Sequence, residues 1–147
     1  MIRDFDLCIG TSFIFGHDAE HRVGAKLAEQ GVKRVLIHHD GGDYLRTSGL
    51  LDAVRSSLDK AGISYVELGG VQPNPRLSLV RAGIALARSE QVDAVVAIGG
   101  GSVIDSAKAI AVGVACDRDV WDYFTGAAEP SDTLPVAAVL TLPASGS

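Results

Sequence analysis

Asp93-Ala94-Val95-Val96-Ala97-Ile98-Gly99-Gly100-Gly101-Ser102-Val103-Ile104-Asp105 decides how this chain folds. The apolar run up to Ile98 reads as a strand covered on both faces. Three glycines follow, and then Ser102 to Cys116 reads as a helix of small residues that can pack close to a sheet. Without a Cβ, backbone N–H groups in such a turn can approach a ligand closely. The helix that starts there aims its unpaired N–H groups and the positive end of its dipole at the same point. This geometry suits a phosphate or pyrophosphate. A plain strand-to-helix turn, with Ser102 as N-cap and Asp105 completing a capping box, explains part of the pattern. It does not explain three successive glycines. The stretch is not GxGxxG and lacks the GK[ST] ending of a P-loop, so nucleotide hydrolysis is not supported.

Working outward, apolar strands alternate with helical patterns from Arg34 onward. Arg34–His39, Ile63–Leu68, Asp93–Ile98 and Val136–Leu140 read as strands. Asp18–Gln30, Tyr44–Ala61, Leu77–Ser89 and Ser102–Cys116 read as helices, with Gly31 and Gly62 as stops. Val120–Phe124 reads as a short helical turn, and Gly126–Pro135 as the one linker candidate. Phe5–Ile9 and Ser12–Phe15 read as short strands before the first helix. The pattern predicts an α/β fold: a mostly parallel sheet with helices on both faces and right-handed crossovers. Ligands of such sheets bind at the carboxyl ends of the strands. The loops at Asp40, Asn74, Gly99 and Thr141 all follow strands, so they can converge on one edge. Residues 1–147 form one domain on this reading. The sequence ends on Ser147 directly after a strand and a Gly- and Ser-rich turn, where another helix would be expected. That predicts a domain of something longer.

Composition narrows the function. Of 147 residues, 47% are hydrophobic and 21% charged, a globular balance. A net charge of −5 gives no basic footprint for nucleic acid or anionic lipid. No apolar run is long enough for a bilayer, and the first residues carry no secretory pattern. Cys8 and Cys116 lie far apart in apolar stretches; a disulfide between them stays open, but they read better as two buried thiols of a reducing compartment, so a cytoplasmic protein is expected.

Several residues are candidates for ligand contact. Asp40 follows a strand, and a carboxylate there can accept hydrogen bonds from both hydroxyls of an adenosine ribose while repelling a 2′-phosphate. It can equally be a turn aspartate in Asp-Gly. In the usual dinucleotide fold the glycine loop precedes the acid. Here the order is reversed, so a dinucleotide must sit in a different arrangement. Asn74, between Pro73 and Pro75, is expected in a stiff, extended loop. Thr141, Ser145 and Ser147 offer hydroxyls at the same edge. His17-Asp18-Ala19-Glu20-His21 matches H-x-x-E-H, but it lies in a polar first turn with no third ligand placed, and a solvated turn accounts for it. His38-His39 ends a strand and is expected to line or flank the cleft.

Four segments in order resemble the iron-containing (group III) alcohol dehydrogenases, over essentially the whole chain: Phe13-Ile14-Phe15-Gly16, Gly70-Val71-Gln72-Pro73-Asn74-Pro75, Asp93 through Ala109, and Leu140-Thr141-Leu142-Pro143-Ala144-Ser145-Gly146-Ser147. The last is similar to the butanol-dehydrogenase-like branch. The resemblance implies a Rossmann-like N-terminal domain, like that of dehydroquinate synthase, that binds NAD or NADP. Gly99, Gly100, Gly101 and Ser102 would hold the pyrophosphate, and Asp105 would lie near the nicotinamide. Asn74, Thr141, Leu142 and Ser145 would contact the cofactor, and Asp40 would face the adenosine ribose. Asp40-Gly41-Gly42 favours NAD on charge. The resemblance also implies a homodimer in which Phe5–Ile9 helps pair subunits, and small alcohols or aldehydes as substrates. The family's iron or zinc is held by one Asp and three His in a helical second domain. No residue of this chain matches those ligands, so the 147 residues alone are expected to have little or no dehydrogenase activity. Two alternatives stay open: a glycerol-dehydrogenase or dehydroquinate-synthase relative, and a non-catalytic nucleotide-binding module.

Overall fold

The structure is a computed structural model that describes residues 10–143. The expected strand Phe5–Ile9, Cys8 and the candidate contact Ser145 lie outside the described residues. Strands β1 (Arg34–His39), β2 (Ser64–Leu68), β3 (Ala94–Gly99) and β4 (Val136–Leu140) form one parallel sheet in the order β2-β1-β3-β4. The two central strands are the most buried. Every residue of β3 is buried, and Val35, Leu36 and Ile37 of β1 are fully enclosed. Each such side chain contributes about 1.5–3 kcal/mol by leaving water.

Side chains alternate between two cores, as the two-residue period of a strand requires. Val35, Ile37, Val96 and Ile98 pack on one face with α1 (Val23–Glu29), α2 (Asp43–Thr47) and α3 (Leu50–Lys60), which supply Leu27, Leu45, Val54 and Leu58. Leu36, Val95 and Ala97 pack on the other face with α4 (Leu77–Ser89) and α5 (Gly101–Ala115), which supply Val80, Ala87, Ala107 and Ile110. α6 (Val120–Thr125) follows, capped by the Asp119 carboxylate on the Trp121 N–H at 3.0 Å. The crossover from β1 to β2 thus uses one face, and those from β2 to β3 and β3 to β4 use the other. Strand order therefore reverses between β1 and β3, and the crevice at their carboxyl ends is the topological switch point where ligands of such sheets bind.

The structure corrects five local expectations. Ser12–Phe15 is irregular, with no ladder partner among the described residues and with Phe13 and Phe15 exposed. The first helix is preceded by a 3₁₀ turn, Ala19–Arg22, entered through Asp18 at φ +56°. Because that turn is not α-helical, His17 and His21 do not share a helix face. Tyr44–Ala61 breaks at Ser48-Gly49, where Gly49 takes φ +74° and re-aims the chain between α2 and α3. Asn74 takes φ +61° rather than an extended conformation. Asparagine tolerates this left-handed region better than most residues. Finally, Gly126–Pro135 is pinned rather than free: the Cys116 thiol donates to the Asp132 carbonyl at 3.2 Å and Leu134 N–H to the Ala111 carbonyl at 3.2 Å. Cys116 itself is a free, buried thiol, as its apolar setting predicted.

His38 is the other departure. It does not line a cleft but is wholly buried. Its Nδ1 meets the Leu68 carbonyl at 2.8 Å and its Nε2 meets the Ser106 hydroxyl at 2.8 Å. A carbonyl can only accept, so Nδ1 carries the proton and Nε2 accepts from Ser106. The imidazole ties the end of β2 to α5 through the core. Burial, reinforced by the neighbouring His39 and opposed by the Leu68 hydrogen bond, holds its pKa below 6.5; burial also lowers that of His39. In the unfolded chain both protonate near 6.5. Between the folded and unfolded values the unfolded state binds more protons, so stability is complete above about pH 6.5 and falls with pH below it. The expected slope is about 1.4 kcal/mol per pH unit for each fully shifted histidine. Urea unfolding from pH 8 to pH 5 measures it, and His38→Gln should flatten the slope. Glu67 and Asp119, held down by Arg55 and Arg81 respectively, stabilise the fold throughout this range and lose that contribution only as pH falls below the ordinary carboxylate pKa, so the windows separate.

Candidate functional site

The glycine turn sits where β3 runs out against α5. Gly99 takes φ +158°, and a Cβ there would lie 2.5 Å from Val103 Cγ2 and 2.9 Å from Val103 Cβ. The closeness of the strand end to the first helical turn is the physical requirement for glycine. Gly100 rather than Ser102 is the N-cap, in an extended conformation and with no side-chain capping bond. The expected capping box of Ser102 and Asp105 is therefore absent. The chain reaches the helix two residues earlier than that box assumed, so Ser102 is already inside the first turn. The Gly100 carbonyl accepts the N–H groups of Val103 and Ile104, at 3.0 and 3.2 Å. The N–H groups of Gly101 and Ser102 precede the first intrahelical bond and stay available to a ligand. The fifteen-residue helix behind them adds its dipole.

Three loops close on this turn. Thr141 N–H donates to the Gly99 carbonyl at 3.1 Å, joining the end of β4 to the glycines. Asn74 N–H donates to the Ser102 hydroxyl at 3.3 Å, joining the Pro73–Pro75 loop to the helix start. On the other side of the switch point, Val71 N–H reaches the His39 carbonyl at 3.3 Å, so the loop after β2 lies against the end of β1. The structure thus brings Asn74, Gly99, Gly100, Gly101, Ser102 and Thr141 together, with Asp40 at the neighbouring strand end. Leu142 is exposed beside them, with its Cβ 3.9 Å from where a Gly100 Cβ would be. Asp105 is exposed on α5, one turn along from the glycines.

Asp40 is both turn residue and candidate ligand. Its Oδ1 accepts the Gly42 N–H at 2.8 Å and its Oδ2 accepts the Tyr44 hydroxyl at 3.1 Å. An ionised carboxylate has about four acceptor positions, so two remain. Tyr44 was not singled out by its sequence. The available signal was its i+4 spacing from Asp40 across a Gly-Gly turn, which lets an aromatic side chain fold back. Two surface concavities, about 310 Å³ between α4 and residues 117–120 and about 450 Å³ beside Glu20, His21 and Ser48–Ala53, lie elsewhere. At the switch-point edge the binding capacity rests on the directed N–H groups of Gly101 and Ser102.

Residues 10–147 match the family model for iron-containing alcohol dehydrogenase. The chain belongs to the iron-containing alcohol dehydrogenase family. It is 46% identical over 146 residues to a probable NADH-dependent butanol dehydrogenase 1 of Bacillus subtilis, covering 99% of this chain and 37% of that protein. It is 34% identical to the NADPH-dependent aldehyde reductase YqhD of Escherichia coli, again over 99% of this chain and 37% of the relative. The crystal structure of NADH-dependent butanol dehydrogenase A from Thermotoga maritima superposes with a TM-score of 0.90 at 39% identity, covering 96% of this chain and 35% of that one. The chain thus spans little more than a third of the length of these iron-containing alcohol dehydrogenase relatives.

The described residues do not fit the metal that the family name implies. Of the four histidines, His38 is committed to Leu68 and Ser106, and His39 lies half-buried at the end of β1. Among the described residues the one group with ligand atoms close together is Asp18, Glu20 and His21, all within 4.8 Å. It sits in the surface turn before α1, two of its members exposed, and includes neither His17 nor any residue of the glycine edge. Among the described residues no helix is long and apolar enough to cross a membrane.

Proposed function

We propose that this chain is the nucleotide-binding half of an NAD(P)H-dependent alcohol dehydrogenase. The observation that carries this is the Gly99–Ser102 turn, opening a long helix at the switch point with the Asp40, Asn74 and Thr141 loops around it. Gly101 and Ser102 N–H groups would grip the diphosphate, with Gly99 and Gly100 allowing the approach. Asp40 would accept the ribose hydroxyls, while Asn74, Thr141, Leu142 and Ser145 would border the dinucleotide and Asp105 would lie toward its nicotinamide. When bound, the nicotinamide supplies hydride exchange with a carbonyl carbon. The protein's own residues bind and orient it. The butanol and aldehyde activities in the relatives' names support a small alcohol or aldehyde as the partner in that exchange. A cytoplasmic homodimer accompanies this function, in keeping with a buried free thiol and a net charge of −5.

The uncompensated charge of Asp40 favours NADH over NADPH, because a 2′-phosphate adds about −1.5 to −2 charge beside it. Fluorescence titration of the chain with each nucleotide tests this. Tighter binding of NADH is expected; equal affinity, or tighter NADPH, would contradict it. With butyraldehyde, NADH and added Fe²⁺ or Zn²⁺, the 147 residues alone should show no turnover above background, since the described residues place no metal-ligand group at the glycine edge. Robust turnover would overturn that expectation.

A further inference from the structure

We propose that Tyr44 is a positioning residue of the nucleotide site, locking the Asp40 carboxylate in place and so setting the preference for a free 2′-hydroxyl over a 2′-phosphate. This rests on the nucleotide-binding function proposed above. Three observations carry it. First, the Tyr44 hydroxyl donates to Asp40 Oδ2 at 3.1 Å while Gly42 N–H holds Oδ1 at 2.8 Å, so both carboxylate oxygens are fixed from the protein side. Second, the ring lies directly over Gly42: a Cβ there would meet Tyr44 Cδ1 at 2.8 Å and Cε1 at 2.9 Å. The Gly-Gly turn therefore makes room for the tyrosine as well as for a ligand. Third, Thr141 lies near the same phenol. Asp40 follows β1 and Thr141 follows β4, with β3 between them in the sheet. Tyr44 thus sits between strand ends about 10 Å apart, bonded to Asp40 on one side and near Thr141 on the other. Burial raises the phenol's pKa, so it stays a donor at neutral pH.

With both oxygens held, the two remaining acceptor positions point away from the loop and can receive the 2′- and 3′-hydroxyls together. A carboxylate free to rotate would meet them less often and could also turn away from a 2′-phosphate. Selectivity should therefore depend on the phenolic hydroxyl, which touches no nucleotide itself.

The test is a titration of the parent chain, Tyr44→Phe, Asp40→Asn and the double variant with NADH and with NADPH. Tyr44→Phe should weaken NADH about tenfold, the size of one hydrogen bond to a charged group, and leave NADPH nearly unchanged. The double variant should match Asp40→Asn alone, because the hydroxyl acts through the carboxylate. If Tyr44→Phe keeps the parent's NADH affinity, or weakens both nucleotides equally as a loosened loop would, the role assigned to Tyr44 is wrong while nucleotide binding stands. If the parent chain binds neither nucleotide, the nucleotide-binding function itself fails, and the role of Tyr44 with it.

Discussion

Gly99→Ala should lower NADH affinity about a hundredfold, the combined value of two hydrogen bonds to a charged diphosphate. The added methyl would sit 2.5 Å from Val103 Cγ2 and 2.9 Å from Val103 Cβ. Val103 cannot swing clear, because its own Cβ is among the atoms struck. The first turn of α5 must then shift, carrying the Gly101 and Ser102 N–H groups off target. The Gly99 carbonyl, which holds Thr141 N–H at 3.1 Å, would move with it. Some stability is lost as well, about 1–3 kcal/mol for an overpacked site. Far-UV circular dichroism separates the two effects. A folded variant that binds NADH as tightly as the parent would show that the turn does not hold the diphosphate.

The largest stability effect is expected on the opposite face of the sheet, at Gly24 in α1. A Cβ there would lie 2.0 Å from the Ser57 carbonyl oxygen and 2.5 Å from its carbon. Both are backbone atoms of α3, so relief requires the helices to separate. Their contact is also wired by hydrogen bonds: Gly24 N–H donates to Ser57 Oγ at 2.9 Å, and Ser57 Oγ donates to the His21 carbonyl at 2.8 Å. Gly24→Ala should therefore remove about 3 kcal/mol or more, from overpacking and from breaking this buried pair of bonds. For a chain of this size that lowers the melting temperature by roughly 10 °C. Ser57→Ala removes the bonds but not the close approach and should cost about 1–3 kcal/mol. Thermal melts of the two variants check the ranking; a Gly24→Ala melt within about 2 °C of the parent's would refute the close packing.

What could be read from the residues, and what could not, divides along a physical line. The strands β1, β3 and β4 were legible because each carries an uninterrupted apolar run, Val35–Ile37, Ala94–Ile98 and Val136–Leu140, although β4 lies at the sheet edge with Ala138 and Leu140 exposed. Gly31 and Gly62 were legible as helix stops because both take positive φ, +80° and +68°, immediately after α1 and α3 end. The convergence of the Asn74, Gly99 and Thr141 loops followed from parallel topology alone. The misreadings depended on contacts distant in sequence. Ser102 resembles an N-cap until Asn74, 28 residues away, is seen to use its hydroxyl. His38 and His39 are indistinguishable as letters. Only the two-residue period, which puts His38 on the same face as Leu36 and opposite the buried Ser106 of α5, sends one inward and leaves the other at the edge. Gly49 interrupts an otherwise sound helical stripe by taking φ +74° between α2 and α3. Tyr44 escaped notice because its neighbours Asp40 and Thr141 come from two different strand ends.

The central claim is that main-chain N–H groups of Gly101 and Ser102 receive the diphosphate of NADH. Amide chemical shifts of the isotopically labelled chain, recorded as NADH is added, measure this at the atoms concerned. Saturable shifts centred on Gly99–Val103, with smaller ones at Asp40 and Thr141, are the predicted result. Shifts confined to other parts of the surface, or none at Gly101 and Ser102 when NADH is in excess, would contradict it.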